Sequence, residues 1–101
     1  MADGAIESHR HGAVVTYDVS GDIDMMMRDR ADAMLEPVRP NDDVQVNMGA
    51  VTFMDSTGLI FLLSLRNKAR SVRLVDVPRM VMRVLTLTGS QDLFSYGTTA
   101  T

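Results

Sequence analysis

Segments with the character of β-strands alternate along this chain with segments that have the spacing of amphipathic helices. The strand segments are rich in β-branched residues or alternate apolar with polar ones: residues 13–19, 44–51 and 72–77. The helical segments carry apolar residues three and four positions apart: residues 25–36, 58–69 and 78–88. Such alternation favours right-handed crossovers and parallel pairing. We therefore predict an α/β fold with a mixed, mostly parallel sheet and about three helices.

Two further strands complete this prediction. A short strand around Ile6 is separated from residues 13–19 by a turn at Gly12, so this first pair is free to run differently from the others. Leu93, Phe94 and Tyr96 form a short final strand.

Glycine, proline and aspartate mark the predicted ends of these elements. We expect Gly21 to end the strand at 13–19, Asp24 to cap the first helix, and Pro37 to stop it. Pro78 suits the first position of the third helix, where its missing N–H costs nothing. Gly89 suits the C-terminal cap of the same helix.

Composition restricts the class of protein. The 101 residues are 46% hydrophobic, which fits a single domain over residues 1–101. There is no cysteine, no apolar run long enough to cross a bilayer, and no signal-peptide pattern, so we expect a cytoplasmic protein without direct membrane insertion. A net charge of -3 without a basic face disfavours nucleic acid and favours protein or small-ligand partners.

The motif FMDSTGL, residues 53–59, lies where a strand passes into a helix. Loops at the carboxyl ends of parallel strands gather along one edge of a sheet, where open α/β sheets place their functional sites. By this rule Gly21–Asp24, Phe53–Thr57 and Asp76–Pro78 lie on one edge. Ser56 is then either the N-cap of the helix that follows or, because a helix N-terminus tolerates a phosphate, a phosphorylation site.

The helix from Gly58 has a core face and an outward face. At 100° per residue, the core face consists of Phe61, Leu62, Leu65, Ala69 and, at its margin, Leu59. The outward face consists of Ile60, Leu63, Ser64 and Asn67. Two large aliphatic side chains on the outward face indicate a surface that either a partner or another helix of the same domain covers.

Other candidate sites have less support. His9 and His11 share one face of a strand, but no further histidine or cysteine completes a metal site. Asp22, Asp24 and Asp55 are better explained as a turn residue, a cap and a neighbour of Ser56 than as ligands of a divalent ion. We therefore expect no metal and no cofactor.

Enzymatic activity has no motif to support it. Ser56 and Asp55 are adjacent and do not aim at a common point, as a catalytic triad requires. A Gly-x-Ser-x-Gly elbow and a glycine-rich phosphate loop are both absent from the sequence. We expect no enzymatic activity and no catalytic residue.

Met25, Met26 and Met27 point in three directions of a helix, so they cannot all be buried.

Three segments resemble the bacterial anti-sigma factor antagonists of the STAS domain family. They are VSGDIDMMMRDRADAML, FMDSTGLIFLL and VRLVDVPRMVMRVLTLTGSQDLF, which together span most of residues 14–94. The resemblance implies a strand–helix superhelix. It also implies an antagonist that binds an anti-sigma factor with serine kinase activity, releases a sigma factor, and is switched off by phosphorylation of Ser56 until a protein phosphatase restores it.

The resemblance also implies a partner-binding surface. Its residues are Gly21, Asp24, Asp55, Ser56, Thr57, Gly58, Ile60, Leu63, Ser64 and Asn67. The sequence departs from the family at Ile60, where many members have a small residue, and at its short C-terminus, so we expect the final family helix to be missing. Apolar surface left bare there predicts self-association as a homodimer. Related STAS domains instead serve as subunits of lipid-transport ABC complexes or as stress-signalling scaffolds, and this is the alternative function.

Overall fold

A computed structural model of the chain describes residues 3–99, and the predicted domain also includes residues 1, 2, 100 and 101, which lie outside that range. The strands are β1 (Ala5–His11), β2 (Val14–Ile23), β3 (Asp43–Met54), β4 (Ser71–Val75) and β5 (Ser95–Gly97). The helices are α1 (Arg28–Ala33), α2 (Ser56–Lys68) and α3 (Arg79–Leu87). Single 3₁₀ turns lie at Met25–Met27 and Gln91–Leu93.

The five strands lie side by side in the order in which they occur along the chain. β1 pairs antiparallel with β2, and the pairs β2–β3, β3–β4 and β4–β5 are parallel. Each strand–helix unit therefore adds the next strand on the same side, which is a strand–helix superhelix. The prediction of a mixed, mostly parallel sheet with about three helices is confirmed. β5 is the last regular element of the described residues.

One face of the sheet carries the core. Residues that match in register form continuous buried rows across three strands: Val15, Val44 and Val72, and then Tyr17, Val46 and Leu74. The intervening residues Thr16, Gln45 and Arg73 are polar and lie on the opposite face. Phe61 of α2 packs its ring edge-on against Tyr17, with the ring centroids 5.5 Å apart, so α2 covers the apolar face.

β2 is longer than the sequence pattern predicts. Gly21, expected to end the strand, lies inside it with φ +71°, and pairing continues as far as Ile23 opposite Met54. The register shifts on both sides of Gly21. A glycine with positive φ allows a bulge in the ladder rather than a turn, and so the predicted end of the strand is wrong.

Other predicted boundaries also shift. The first helix begins as a 3₁₀ turn and is α-helical only over Arg28–Ala33. Leu93, predicted in the final strand, lies in the second 3₁₀ turn. Pro78 precedes α3 as its N-cap, one position before the predicted one, whereas Gly89 follows α3 with φ +70°, as a C-terminal glycine should.

The carboxyl ends of the strands do not all reach the same level. β2 and β3 end together, but β4 ends at Val75, opposite Asn47. Asp76 consequently lies beside Gly49, roughly 15 Å short of the end of β3 at the usual rise per strand residue. The prediction that three loops share one edge is thus right for the loops after β2 and β3 and wrong for Asp76–Pro78.

Candidate functional site

The carboxyl ends of β2 and β3 are joined by direct hydrogen bonds. The backbone N–H of Asp55 donates to the carbonyl of Ile23 across 3.3 Å. The hydroxyl of Thr52 donates to the carboxylate of Asp22 across 2.6 Å. These bonds fix the start of α2 relative to the chain that leads into α1.

An aspartate begins each of the two helical segments at this edge. The Asp24 carboxylate accepts a hydrogen bond from the backbone N–H of Met26 at 3.0 Å, and that of Asp55 accepts one from Thr57 at 2.8 Å. Both aspartates have extended backbone, which the N-cap position requires. Asp24 is confirmed as the cap of the first helical segment.

Ser56 is the first residue of α2 and not its cap. The helix starts two residues before the predicted Gly58, and Asp55 occupies the capping position. A carboxylate bound to a backbone N–H at a helix start is favoured by the helix dipole, so Asp55 excludes the serine from this role. Ser56 is exposed, and its hydroxyl forms no hydrogen bond with any residue between 3 and 99.

A cleft of about 430 Å³ separates α2 from the 3₁₀ turn and α1, and Ser56 lies on its wall. Its lining residues are Met25, Arg28, Ala31, Asp32, Ser56, Thr57, Ile60 and Phe61. Met25 is 74% exposed and Ile60 58% exposed. The cleft is therefore lined by an exposed serine and by two accessible apolar side chains, an arrangement that suits contact with another protein.

The two faces of α2 largely follow their prediction. Phe61, Leu62, Leu65 and Ala69 are buried, which confirms the core face. On the outward face, Ile60 and Asn67 are exposed and Ser64 is half-buried. Leu63 is also half-buried and packs against the core, so its side chain is less available to a partner than its helical position implies.

Gly21 and Gly58 of the predicted surface are buried. A Cβ at Gly58 would overlap the side chain of Met54 and press on Ile23 at 3.3 Å. Gly58 thus allows the first turn of α2 to pack closely on the ends of β2 and β3. Both glycines shape the surface through the backbone and offer no side chain to a partner.

Sequence reasoning missed the α1 wall of the cleft, namely Arg28 and Asp32. The run of three methionines did indicate an exposed apolar side chain in this region, because three successive helical residues cannot all be buried. Met26 is 91% exposed, whereas Met27 packs against the core. The orientation of α1 toward α2 has no comparable signal in the sequence.

The side chains of the weaker candidate sites each contact a different group. The Nε2 atom of His9 lies 3.4 Å from a carboxylate oxygen of Asp18, on the open face of the sheet. Asp22, Asp24 and Asp55 are hydrogen-bonded to three different groups. Between residues 3 and 99, no three histidine, cysteine or acidic side chains lie close enough together to hold a metal ion.

Exposed apolar side chains also lie near the C-terminal end. Leu87 of α3 is 80% exposed and Leu93 is 44% exposed. These two side chains belong to the apolar surface through which we expect the protein to self-associate. The homodimer stays a prediction. No helix within residues 3–99 combines the length and the apolar character that a bilayer crossing demands.

Comparison with known proteins places the chain in a family. The model of the STAS domain matches residues 5–101. An anti-sigma-B factor antagonist of Staphylococcus epidermidis is 31% identical over 94 residues, which are 87% of each chain.

Solved structures have the same fold. An anti-sigma factor antagonist from Mycobacterium paratuberculosis superposes with a TM-score of 0.74 at 24% identity, covering 94% of this chain and 86% of the other. The unphosphorylated form of the anti-sigma factor antagonist SpoIIAA superposes with a TM-score of 0.71 at 17% identity, covering 96% and 89%. The chain belongs to the STAS domain family.

Proposed function

We propose that this protein is an anti-sigma factor antagonist whose binding surface is the cleft between α1 and α2. In its unphosphorylated form it binds an anti-sigma factor that is also a serine kinase, and a sigma factor is released. Phosphorylation of Ser56 ends the complex. The observation that carries the proposal is the exposed Ser56, whose hydroxyl forms no hydrogen bond with residues 3–99, at a cleft lined by the accessible side chains of Met25 and Ile60.

The relatives support the regulatory role. The Staphylococcus epidermidis protein, 31% identical, bears the name of an anti-sigma-B factor antagonist. Within residues 3–99, no feature favours the alternative of a transport subunit or a stress-signalling scaffold. In this role the protein is a substrate and a binding partner, and it performs no catalysis of its own.

The covalent step is a phosphoryl transfer from ATP bound to the kinase. The Ser56 oxygen attacks the γ-phosphorus, a serine O–P bond forms, and the bond from that phosphorus to the β,γ-bridging oxygen breaks to release ADP. The serine proton passes to a base of the kinase. A phosphatase reverses the modification by directing water at the phosphorus, which returns serine and inorganic phosphate.

The added charge explains how the complex ends. A phosphoserine brings about 1.5 to 2 negative charges into the cleft. Its hydration opposes burial of Met25 and Ile60 against a partner. The hydrogen bond from Thr57 to Asp55 does not involve the Ser56 hydroxyl, so α2 keeps its cap and the domain stays folded.

Binding measurements on three variants test the proposal. Calorimetry with the cognate anti-sigma factor is expected to show wild-type affinity for Ser56→Ala and no complex for Ser56→Asp. Ser95→Asp, an exposed position on β5, controls for added charge and should bind normally. Incubation with the kinase and Mg-ATP, followed by mass spectrometry, should find phosphate on Ser56 alone. Wild-type affinity of Ser56→Asp would overturn the switch.

A further inference from the structure

The lining of the cleft contains one cation. Of its eight residues, the charged ones are Arg28 and Asp32, both on α1, and Ser56 lies on the opposite wall. Arg28 is exposed, and its guanidinium forms no ion pair or hydrogen bond with any group between residues 3 and 99. Arg28, whose guanidinium has none of these contacts, therefore lines the same cleft as Ser56.

Neighbouring arginines are already engaged. Arg30, two positions along α1, donates to the carbonyl of Ile6 across 3.1 Å and so points toward β1. Arg66 of α2 donates to the carbonyl of Leu93 across 2.9 Å. Arg28 is the arginine that lines the cleft, and its side chain donates no hydrogen bond to residues 3–99.

The surroundings of Ser56 are otherwise acidic. Asp55 precedes it in the chain, Asp32 lines the cleft, and Asp24 caps the adjacent 3₁₀ turn. A dianionic phosphate among three carboxylates is destabilised by repulsion unless a cation compensates. Arginine binds phosphate through two parallel N–H donors, which makes it well suited to this task.

We propose that Arg28 binds the phosphate group of phosphorylated Ser56 across the cleft and so closes the cleft against a partner. This inference rests on the proposed phosphorylation of Ser56 and adds to it a mechanism within the chain itself. The phosphate then acts in two ways: it repels the docked protein, and it draws α1 and α2 together over the surface on which that protein docks.

Phosphoserine inserted at position 56 during translation tests the inference without any kinase. The second pKa of the phosphate, about 6 in a free phosphoserine, is measured by ³¹P NMR titration. Arg28→Gln is expected to raise this pKa by about half a unit, because removal of a nearby cation disfavours the dianion. Arg28→Lys should restore part of the difference, and 0.5 M salt should diminish it.

Arg30→Gln is the matched control, since it removes an equal charge from the same helix outside the cleft, and it should leave the phosphate pKa near that of the parent. Equal phosphate pKa values for the parent and Arg28→Gln, or equal shifts for Arg28→Gln and Arg30→Gln, would refute the binding of the phosphate by Arg28. Because the phosphate is inserted directly, a kinase that ignores Ser56 would defeat the proposed function and leave this titration unaffected.

Discussion

Arg10 and Asp42 form a two-pronged ion pair that joins the end of β1 to the loop before β3. Nη1 and Nη2 of Arg10 donate to the two carboxylate oxygens of Asp42 across 2.9 and 2.7 Å. Asp42 is buried, and it also accepts a hydrogen bond from the backbone N–H of Arg39. The hydrogen bonds from Arg10 and then from Arg39 lower the pKa of Asp42 to about 2.

Replacement of Asp42 by asparagine should destabilise the fold most strongly near neutral pH. A carboxyl group whose pKa is lower in the folded than in the unfolded protein stabilises the fold at pH values above its unfolded pKa, which is about 4 for aspartate. For Asp42 this stabilisation is lost as the pH falls through the folded pKa of about 2. Thermal melting from pH 7 to pH 2 should show Asp42→Asn several degrees below wild type at pH 7 and converging with it in acid. Glu36→Gln, an exposed position, is the control. A constant difference at every pH would contradict the ion pair as the cause.

The cap of α2 predicts that alanine substitutions at two adjacent residues, Asp55 and Ser56, have different effects on stability. Because Asp55 accepts the Thr57 N–H, Asp55→Ala should lower the free energy of unfolding by about 1 kcal/mol. Asp55→Asn, which keeps an acceptor, should lose much less. Ser56→Ala should be nearly neutral, since its hydroxyl has no partner between residues 3 and 99. Urea denaturation measures all three, and a larger loss for Ser56→Ala than for Asp55→Ala would reverse the assignment.

The parts of the fold that depend on hydrophobic pattern could be predicted from the sequence. Val44 and Val46 alternate with polar residues, and both are buried on one face of β3. The helical spacing of Phe61, Leu62 and Leu65 likewise identified the buried side of α2. These predictions succeed because alternation in a strand and periodicity in a helix follow directly from backbone geometry.

Features that depend on how elements meet could not be predicted in this way. Gly21 has the same local signature whether it ends a strand or forms a bulge within one, and the choice depends on the pairing of β2 with β3. Asp42 has the sequence context of a loop residue, yet Arg10, 32 positions away, makes it a buried ion-pair partner. Arg28 faces the cleft because α1 packs beside α2, which periodicity within α1 does not specify.

Gly58 provides a test of close packing beneath the site. Alanine is intrinsically the better helix former by about 1 kcal/mol. A Cβ at this position would nevertheless overlap Met54 and approach Ile23, so Gly58→Ala should destabilise the protein by about 1 to 3 kcal/mol. Denaturant unfolding gives the difference. Met54→Ala combined with Gly58→Ala should cost less than the sum of the single changes, and strict additivity would show that the glycine does not pack on this side chain.

Substitutions at Ile60 and Leu63 should distinguish an effect on partner binding from an effect on the stability of the fold. Ile60 is 58% exposed at the cleft, so Ile60→Glu should leave thermal stability nearly unchanged while weakening binding of the anti-sigma factor about tenfold or more, as loss of a central apolar contact does.

Leu63 packs against the core, so Leu63→Glu should also lower the free energy of unfolding, by about 1 to 3 kcal/mol. Calorimetric titration and thermal melting of the two variants make the comparison. Asn67→Glu, an exposed position two turns beyond Ile60 on α2, shows whether the contact extends along the helix. Full binding by Ile60→Glu would move the partner surface away from the cleft.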